Sequence, residues 1–367
     1  MLLVQSERNA LLAALSSVVG VVERRHTLPI LSNLLLEKKG DKLTLLATDL
    51  ELQVSTQLDA KAGDDFAITL AARKLFDIVR ALPEDAKVKL DSKESQVVVS
   101  AGKSRFTLQT LPAADFPRVE TGVGLGEAIR LSQKTLKRLL QLVQFAMASQ
   151  DIRYYLNGML LVLDGKMLKV VATDGHRLSY AETALETGAE AREVIIPRKT
   201  VLELSKLLAD VDEPVDLRLG SNQVTITLPG TELVTKVVDG KFPDYQRVIP
   251  TKQPRTLKAK RQSVMQALQR AAILANEKFR GVRLVMSENT LGIVCNNNEQ
   301  EEAADEIEVS YTGEPLDVGF NVTYLLDGLG ALNSEEVTLS LGDANSSMLL
   351  TSEAEPGYKY VVMPMRI

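Results

Sequence analysis

The chain has 367 residues, 45% apolar and 25% charged, the balance of a globular protein with room for two or three hydrophobic cores. Its single cysteine, Cys295, excludes an internal disulfide framework and a multi-cysteine zinc site, and it suits a reducing cytoplasm. The net charge of −5 argues weakly against nucleic acid, yet residues 299–317 alone hold eight acids and no base, whereas residues 258–283 hold seven Lys or Arg against the single Glu277.

In chain order, "SERNALLAALSSVV" (6–19) predicts an amphipathic helix with Ser6 as N-cap and Leu11, Leu12, Leu15 and Val19 on one side. Its apolar run is too short to span a bilayer, and Glu7 beside Arg8 is not the positive start of a secretion signal. "LTLLATD" (43–49) alternates as a strand does and ends on Thr48–Asp49. "ITLAARKLFDIVRALP" (68–83) then predicts a strand followed by a second helix, and "VKLDSKESQVVVSAG" (88–102) a hairpin.

The pattern then starts again. "SQKTLKRLLQLVQFAM" (132–147) offers Ser132 as cap and a stripe of Leu136, Leu139, Leu140 and Val143. "LKVVATD" (168–174) and "VIIPRKTVLELSKLLAD" (194–210) follow it. A third round brings "KRQSVMQALQRAAILAN" (260–276), "LGIVCNN" (291–297) and "VGFNVTYLLDGLGALN" (318–333). Thr48, Thr173 and Asn296 are spaced by 125 and 123 residues; Pro117, Pro243 and Pro364 by 126 and 121. A unit of this size is a domain rather than a solenoid repeat. The expectation is an α+β protein of three repeated domains, 1–123, 124–252 and 253–367, each with two helices and antiparallel sheets. The Gly-containing "ETGVGLGEA" and the Pro-containing "IPTKQPRT" supply the linkers.

Two readings of the basic helix faces stand side by side: a surface for a phosphate backbone, or a solvated exterior. "VVATDGHRLSY" (170–180) likewise invites a hydrolase reading built on Asp174 and His176. The repeat weighs against that, because the equivalent of His176 in the first round is Glu51. His26 has no sequence-adjacent partner. No P-loop, G-x-S-x-G or H-E-x-x-H is present, so no catalytic residue, metal ligand or cofactor is assigned.

Nine strings in register, "TLPILSNLLL", "RKLFDIVRALP", "SRFTLQTLPAADFP", "QDIRYYLNGML", "VATDGHRL", "VDGKFPDY", "NEKFRGVRL", "GFNVTYLLD" and "YVVMPMRI", closely resemble the bacterial sliding clamp family, the β subunit of DNA polymerase III. The resemblance runs from about residue 5 to the end. It implies a non-catalytic processivity factor, cytoplasmic, in which a head-to-tail homodimer makes a six-domain ring around double-stranded DNA without sequence preference.

By the same resemblance, Arg25, Arg73, Gln150, Arg153, Tyr154, Tyr155 and Lys199 would meet DNA; Ser149 stands where some clamps have His. Leu156, Thr173, Gly175, His176, Arg177, Leu178, Pro243, Arg247 and Val248 would form one side of a pocket for short peptide motifs of the polymerase, the clamp loader and other partners. Asn321, Tyr324, Ser347, Val361, Met363, Pro364, Met365 and Arg366 would form the other. A Met-rich lining suits a pocket with several partners. Asn345 departs from the apolar residue common there. At the dimer seam, Lys74, Lys103, Arg105, Phe106 and Leu108 would face Ile273, Leu274, Glu299, Glu301 and Glu302 of the second copy.

Overall fold

A computed structural model describes residues 2–23, 28–60, 64–120, 122 and 124–366; Arg25, His26 and Val123 lie outside the described residues. One order of elements recurs three times. The first round is β1 (Leu2–Glu7), α1 (Arg8–Val19), β2 (Asn33–Lys39), β3 (Lys42–Thr48), β4 (Leu52–Asp59), β5 (Phe66–Ala71), α2 (Ala72–Ala81), β6 (Lys87–Lys93), β7 (Gln96–Ala101) and β8 (Ser104–Gln109). The second is β9 (Ile129–Ser132), α3 (Gln133–Val143), β10 (Gly158–Thr173), β11 (Arg177–Pro197), α4 (Arg198–Leu207), β12 (Pro214–Leu219), β13 (Gln223–Leu228) and β14 (Thr231–Lys236), followed by the single turn α5 (Tyr245–Val248). The third is β15 (Arg255–Lys260), α6 (Arg261–Ala271), β16 (Gly281–Ser287), β17 (Thr290–Asn296), β18 (Glu302–Glu308), β19 (Leu316–Asn321), α7 (Val322–Ala331), β20 (Glu336–Leu341), β21 (Met348–Thr351) and β22 (Lys359–Val362). In the second round β10 and β11 do the work of four strands, with register shifts on both sides of Gly165.

Contacts divide the chain into two compact units, residues 1–134 with 202–237, and residues 135–201 with 238–367. The first holds the sheets β1-β6-β7-β8 and β5-β2-β3-β4-β14-β13-β12-β9. Its helix α1 packs on α2, β3 and β4 and buries Leu11, Ala14, Leu15 and Val18, the stripe that a 3.6-residue period puts on one face. Arg8 opens α1 and reaches the end of α2, donating from Nε to Val79 O (3.1 Å) and from Nη2 to Arg80 O (2.7 Å). A cation there satisfies carbonyls that the helix itself leaves open.

The second unit holds β10-β11-β22-β21-β20-β15 and β18-β17-β16-β19. Its α6 buries Val264, Ala267, Leu268 and Ala271 against α7, β17 and β18. Arg261 repeats the work of Arg8, donating to Ser334 O (2.9 Å) and Leu329 O (3.2 Å). Gly328 in α7 has a reason: a Cβ there would lie 2.3 Å from the Tyr360 ring of β22, so only glycine lets helix and strand approach.

Each unit contains one sheet that runs from one round of elements into the next. β4 pairs with β14 from Leu52↔Thr235 to Thr56↔Thr231, and β11 pairs with β22 from Arg177↔Val362 to Tyr180↔Lys359, both antiparallel. Among the described residues, the third edge of this kind, β18, pairs only with β17, and β8, the counterpart of β14 and β22, pairs only with β7.

The expected N-cap Ser6 is a correction. It lies in β1, its Oγ bonds Glu7 O (3.3 Å), and Glu7 holds the cap position without a side-chain bond. The strand runs straight into the helix, leaving no loop in which a serine could turn. Ser132, the expected cap of α3, is the last residue of β9 and directly precedes that helix.

Candidate functional site

The stretch 173–177 is a turn before it is anything else. Thr173 Oγ1 donates to Arg177 O (2.6 Å) and accepts from Gly175 N (3.1 Å). Asp174 Oδ1 accepts from the backbone N–H groups of His176 (2.9 Å) and Arg177 (3.1 Å). The Thr-Asp pair thus builds the turn between β10 and β11. Asp174 is engaged through Oδ1 by the turn's backbone and through Oδ2 by the Arg177 guanidinium, and the His176 imidazole is exposed.

Arg177 is the organising group. Its Nε donates to Asp174 Oδ2 (3.0 Å), Nη1 to Asp327 Oδ2 of α7 (2.6 Å) and Nη2 to Phe145 O (2.8 Å). The guanidinium also sits over the rings of Tyr324 (4.4 Å) and Phe145 (5.5 Å). Its side chain is 10% exposed. Burial works against the charge, but Tyr360, Asp327 and Asp174 outweigh it and hold its pKa above the ordinary arginine value. Burial raises the Tyr324 hydroxyl pKa too, and that of Tyr360, whose OH donates to Tyr324 O (2.9 Å). The Arg177 guanidinium thus ties its own turn to α7 and to the segment that carries Phe145.

Around this tie the expected pocket residues sort by depth. Leu178 and Val361 are buried in one cluster with Leu160, Val171, Ile195 and Phe242, while Leu156 and Thr173 are buried too; all four of the expected residues back the site rather than face solvent. Tyr245 and Ile249 on and beside α5 pack on that cluster, leaving Pro243, Arg247 and Val248 exposed. From the other side comes the segment after β22. Met363 N donates to His176 O and Met365 N to Gly319 O, each at 2.9 Å, with Met363 48% exposed, Arg366 exposed, and Pro364 and Met365 half-buried. Asn321 caps α7, its Oδ1 accepting from Thr323 N and Tyr324 N. Ser347 O accepts from Gln253 Nε2 (2.8 Å), and Asn345 lies exposed in the turn held by Asp343. Apolar depth with Gly175, His176, Val248 and Met363 at the surface is what a site for an apolar peptide side chain needs.

The loop 149–155 abuts the same turn. Asp151 accepts two bonds from the Arg153 guanidinium (3.0 and 2.8 Å), which together with the Arg153 backbone N–H hold its carboxyl down at about 2. Arg153 Nη2 also reaches Asp174 O (3.3 Å). Ser149, Gln150, Ile152 and Tyr154 are exposed, whereas Tyr155 packs half-buried on the apolar cluster, so Tyr154 is the ring offered to solvent. Arg73 donates to Val22 O (2.6 Å), and Lys199 stands half-buried on the first turn of α4.

Of the expected seam residues, Lys74, Lys103, Arg105, Glu299, Glu301 and Glu302 are exposed. Phe106 is 37% exposed but Leu108 only 8%: the two share a face of β8 that is covered at Leu108 and open at Phe106. Ile273 is 78% exposed at the rim of a hollow of about 450 Å³, with Leu274, Glu299 and Glu301 in its lining. Among the described residues no group of three His, Cys, Asp or Glu is placed to hold a metal ion, and no helix is long and apolar enough to cross a membrane.

Family models of the DNA polymerase III β subunit match the whole length: the N-terminal domain over residues 3–120, the central domain over 130–244 and the C-terminal domain over 246–366. The chain belongs to the family of bacterial β sliding clamps. It is 48% identical to the β sliding clamp of Pseudomonas putida over 366 residues and 45% identical to that of Escherichia coli over 362, covering 98% of this chain and 99% of each relative. Among solved structures, it matches the Pseudomonas aeruginosa clamp bound to griselimycin with TM-score 0.96 at 46% identity, covering all of both chains. The Caulobacter crescentus clamp gives TM-score 0.95 at 39%, covering 100% of this chain and 99% of that one. The molecule is a DNA clamp of polymerase III, a non-catalytic subunit made of three clamp domains.

Asp327 and Phe145 were not singled out from sequence. Neither carries a motif: Asp327 is 150 residues from its partner, and Phe145 contributes a backbone carbonyl.

Proposed function

We propose that the clamp acts as a cytoplasmic, head-to-tail homodimer of three-domain chains, divided at 123/124 and 252/253, that encircles duplex DNA and recruits polymerase and loader through the pocket around Arg177. The observation that carries this reading is the pair of open edges. Strands β4 and β11 each continue into further strands through β14 and β22, whereas, among the described residues, their counterpart β18 pairs on one side only, with β17, and the counterpart edge β8 on one side only, with β7. An unpaired edge is a template for another strand. β8 of one copy against β18 of a second would repeat the internal joint and bring Lys103 and Arg105 to the acidic strand Glu302–Glu308. A heterologous contact made twice closes a two-fold ring.

In such a ring the hold on DNA is topological, so phosphate contacts from Arg73, Arg153 and Lys199 can stay weak. Tyr154 would be free to stack on an unpaired base at a junction. The pocket raises the local concentration of any tethered polymerase.

The test is retention on nicked circular DNA after loading by a bacterial clamp loader with ATP, at high salt, followed by one restriction cut. Salt screens phosphate contacts but not a topological link. Retention on the circle and loss from the linear form is the expected result. Equal loss from both, with the loader active on a control clamp, overturns encirclement.

A further inference from the structure

We infer that Asp327 is a positioning residue of the peptide pocket, setting its width through Arg177 without touching the ligand. The inference rests on the pocket reading given above. The two sides of the pocket are far apart in sequence: the turn 173–177 on one, and the start of α7 with Asn321 and Tyr324 on the other. Backbone pairing of Arg177 with Val362 and of His176 with Met363 fixes the turn against the tail. The direct side-chain ion pair between the turn and α7 is Arg177 Nη1 to Asp327 Oδ2, at 2.6 Å.

The geometry of Asp327 explains why one carboxylate suffices. It lies on α7 one turn after Tyr324, so the two present to the same side of the helix. The Arg177 guanidinium lies over the Tyr324 ring and gives Nη1 to the Asp327 carboxylate, with Asp174 taking its Nε and Phe145 O its Nη2. Removing Asp327 leaves the other two bonds and the ring contact in place, so the turn keeps its shape while its ion pair to α7, which sets the spacing from Tyr324, is lost. Arg177, 10% exposed, is then still paired with Asp174, so the buried charge keeps one carboxylate partner while its tie to α7 is lost.

Griselimycin, the ligand of the matched Pseudomonas aeruginosa clamp structure, serves as the probe. Its affinity for the full-length protein is measured by titration calorimetry, with unfolding followed in parallel. Asp327→Ala is expected to weaken binding about tenfold, the scale of one charge-assisted hydrogen bond. Asp327→Asn, which keeps an oxygen for Nη1, should recover most of that affinity. Arg177→Gln combined with Asp327→Ala should bind no worse than Arg177→Gln alone, because Asp327 acts only through Arg177. Affinity unchanged in Asp327→Ala, or additive losses in the pair, overturns the inference. Val248→Asp is the separate control on the exposed lip: if it leaves griselimycin binding untouched, the pocket reading itself fails, whatever Asp327 does.

Discussion

The turns at Thr48–Leu52 and Thr173–Arg177 share one scaffold and hold different contents. In each, the threonine hydroxyl donates to the carbonyl four residues on, at Leu52 O (3.0 Å) or Arg177 O (2.6 Å). In each, the aspartate accepts from the N–H groups two and three residues on. The third position is left-handed in both, φ 79° at Leu50 and 90° at Gly175. After that they part. Leu52 points into its own core, 1% exposed, where Arg177 gathers Asp174, Asp327 and Phe145. The Thr-Asp pair is a carrier; function resides in the residues it carries.

The strongest way to break this comparison is to give the second turn the content of the first. Arg177→Leu would leave Asp327 and the Phe145 carbonyl without their partner, and the expected cost is about 2–4 kcal/mol in urea unfolding. A loss below about 1 kcal/mol would mean that Arg177 is not the tie described here.

A reciprocal exchange sharpens the backbone side. Gly175→Leu places a side chain at a positive φ, with its Cβ 3.0 Å from the Arg153 guanidinium, and should cost about 1–3 kcal/mol. Leu50→Gly relieves the same conformation at a residue 36% exposed and should be neutral or stabilising by up to about 1 kcal/mol. If the two changes move stability in the same direction, φ is not what distinguishes the sites.

The smallest effect concerns the loop beside the second turn. The Asp151 carboxyl is held at about 2 by Arg153, below the ordinary 3.8. A depressed folded-state pKa adds stability that is present above the unfolded value and lost as pH falls through the folded one, here between about pH 4 and 2. Carboxyl carbon shifts in an NMR titration should place the Asp151 midpoint near 2 and return it to the ordinary range in Arg153→Gln. An unchanged midpoint in that variant would remove Arg153 as the cause.

Much of the architecture was legible because repetition amplifies weak signals. The helices α2, α4 and α7 and the strand ends at Thr48 and Thr173 each read ambiguously alone, but recurrence near 125 residues fixed their alignment. The strands β1, β9 and β15 escaped because four to six residues of alternation abut a helix whose longer stripe dominates the pattern. In the site, Leu178, Val361, Met363 and Val248 were legible only as a set, through resemblance. Which of Tyr154 and Tyr155 turns inward is decided by packing against the apolar cluster that includes Leu160 and Phe242, which no local spacing encodes. The Arg177–Asp327 pair is invisible for the same reason, since sequence separation carries no information on a contact between elements folded separately.

The pairing of β4 with β14 has a consequence in time. Thr56 and Thr231 are 175 residues apart, and at about 5–20 residues per second the ribosome needs roughly 9–35 s to make the second after the first. Throughout that interval the newly made β4 has a free edge, and neighbouring nascent chains on one message offer similar edges. Ser55, Gln57 and Asp59 make one face of β4 polar, with Gln57 and Asp59 exposed, which lowers the apolar surface that the strand offers a neighbouring chain in the meantime.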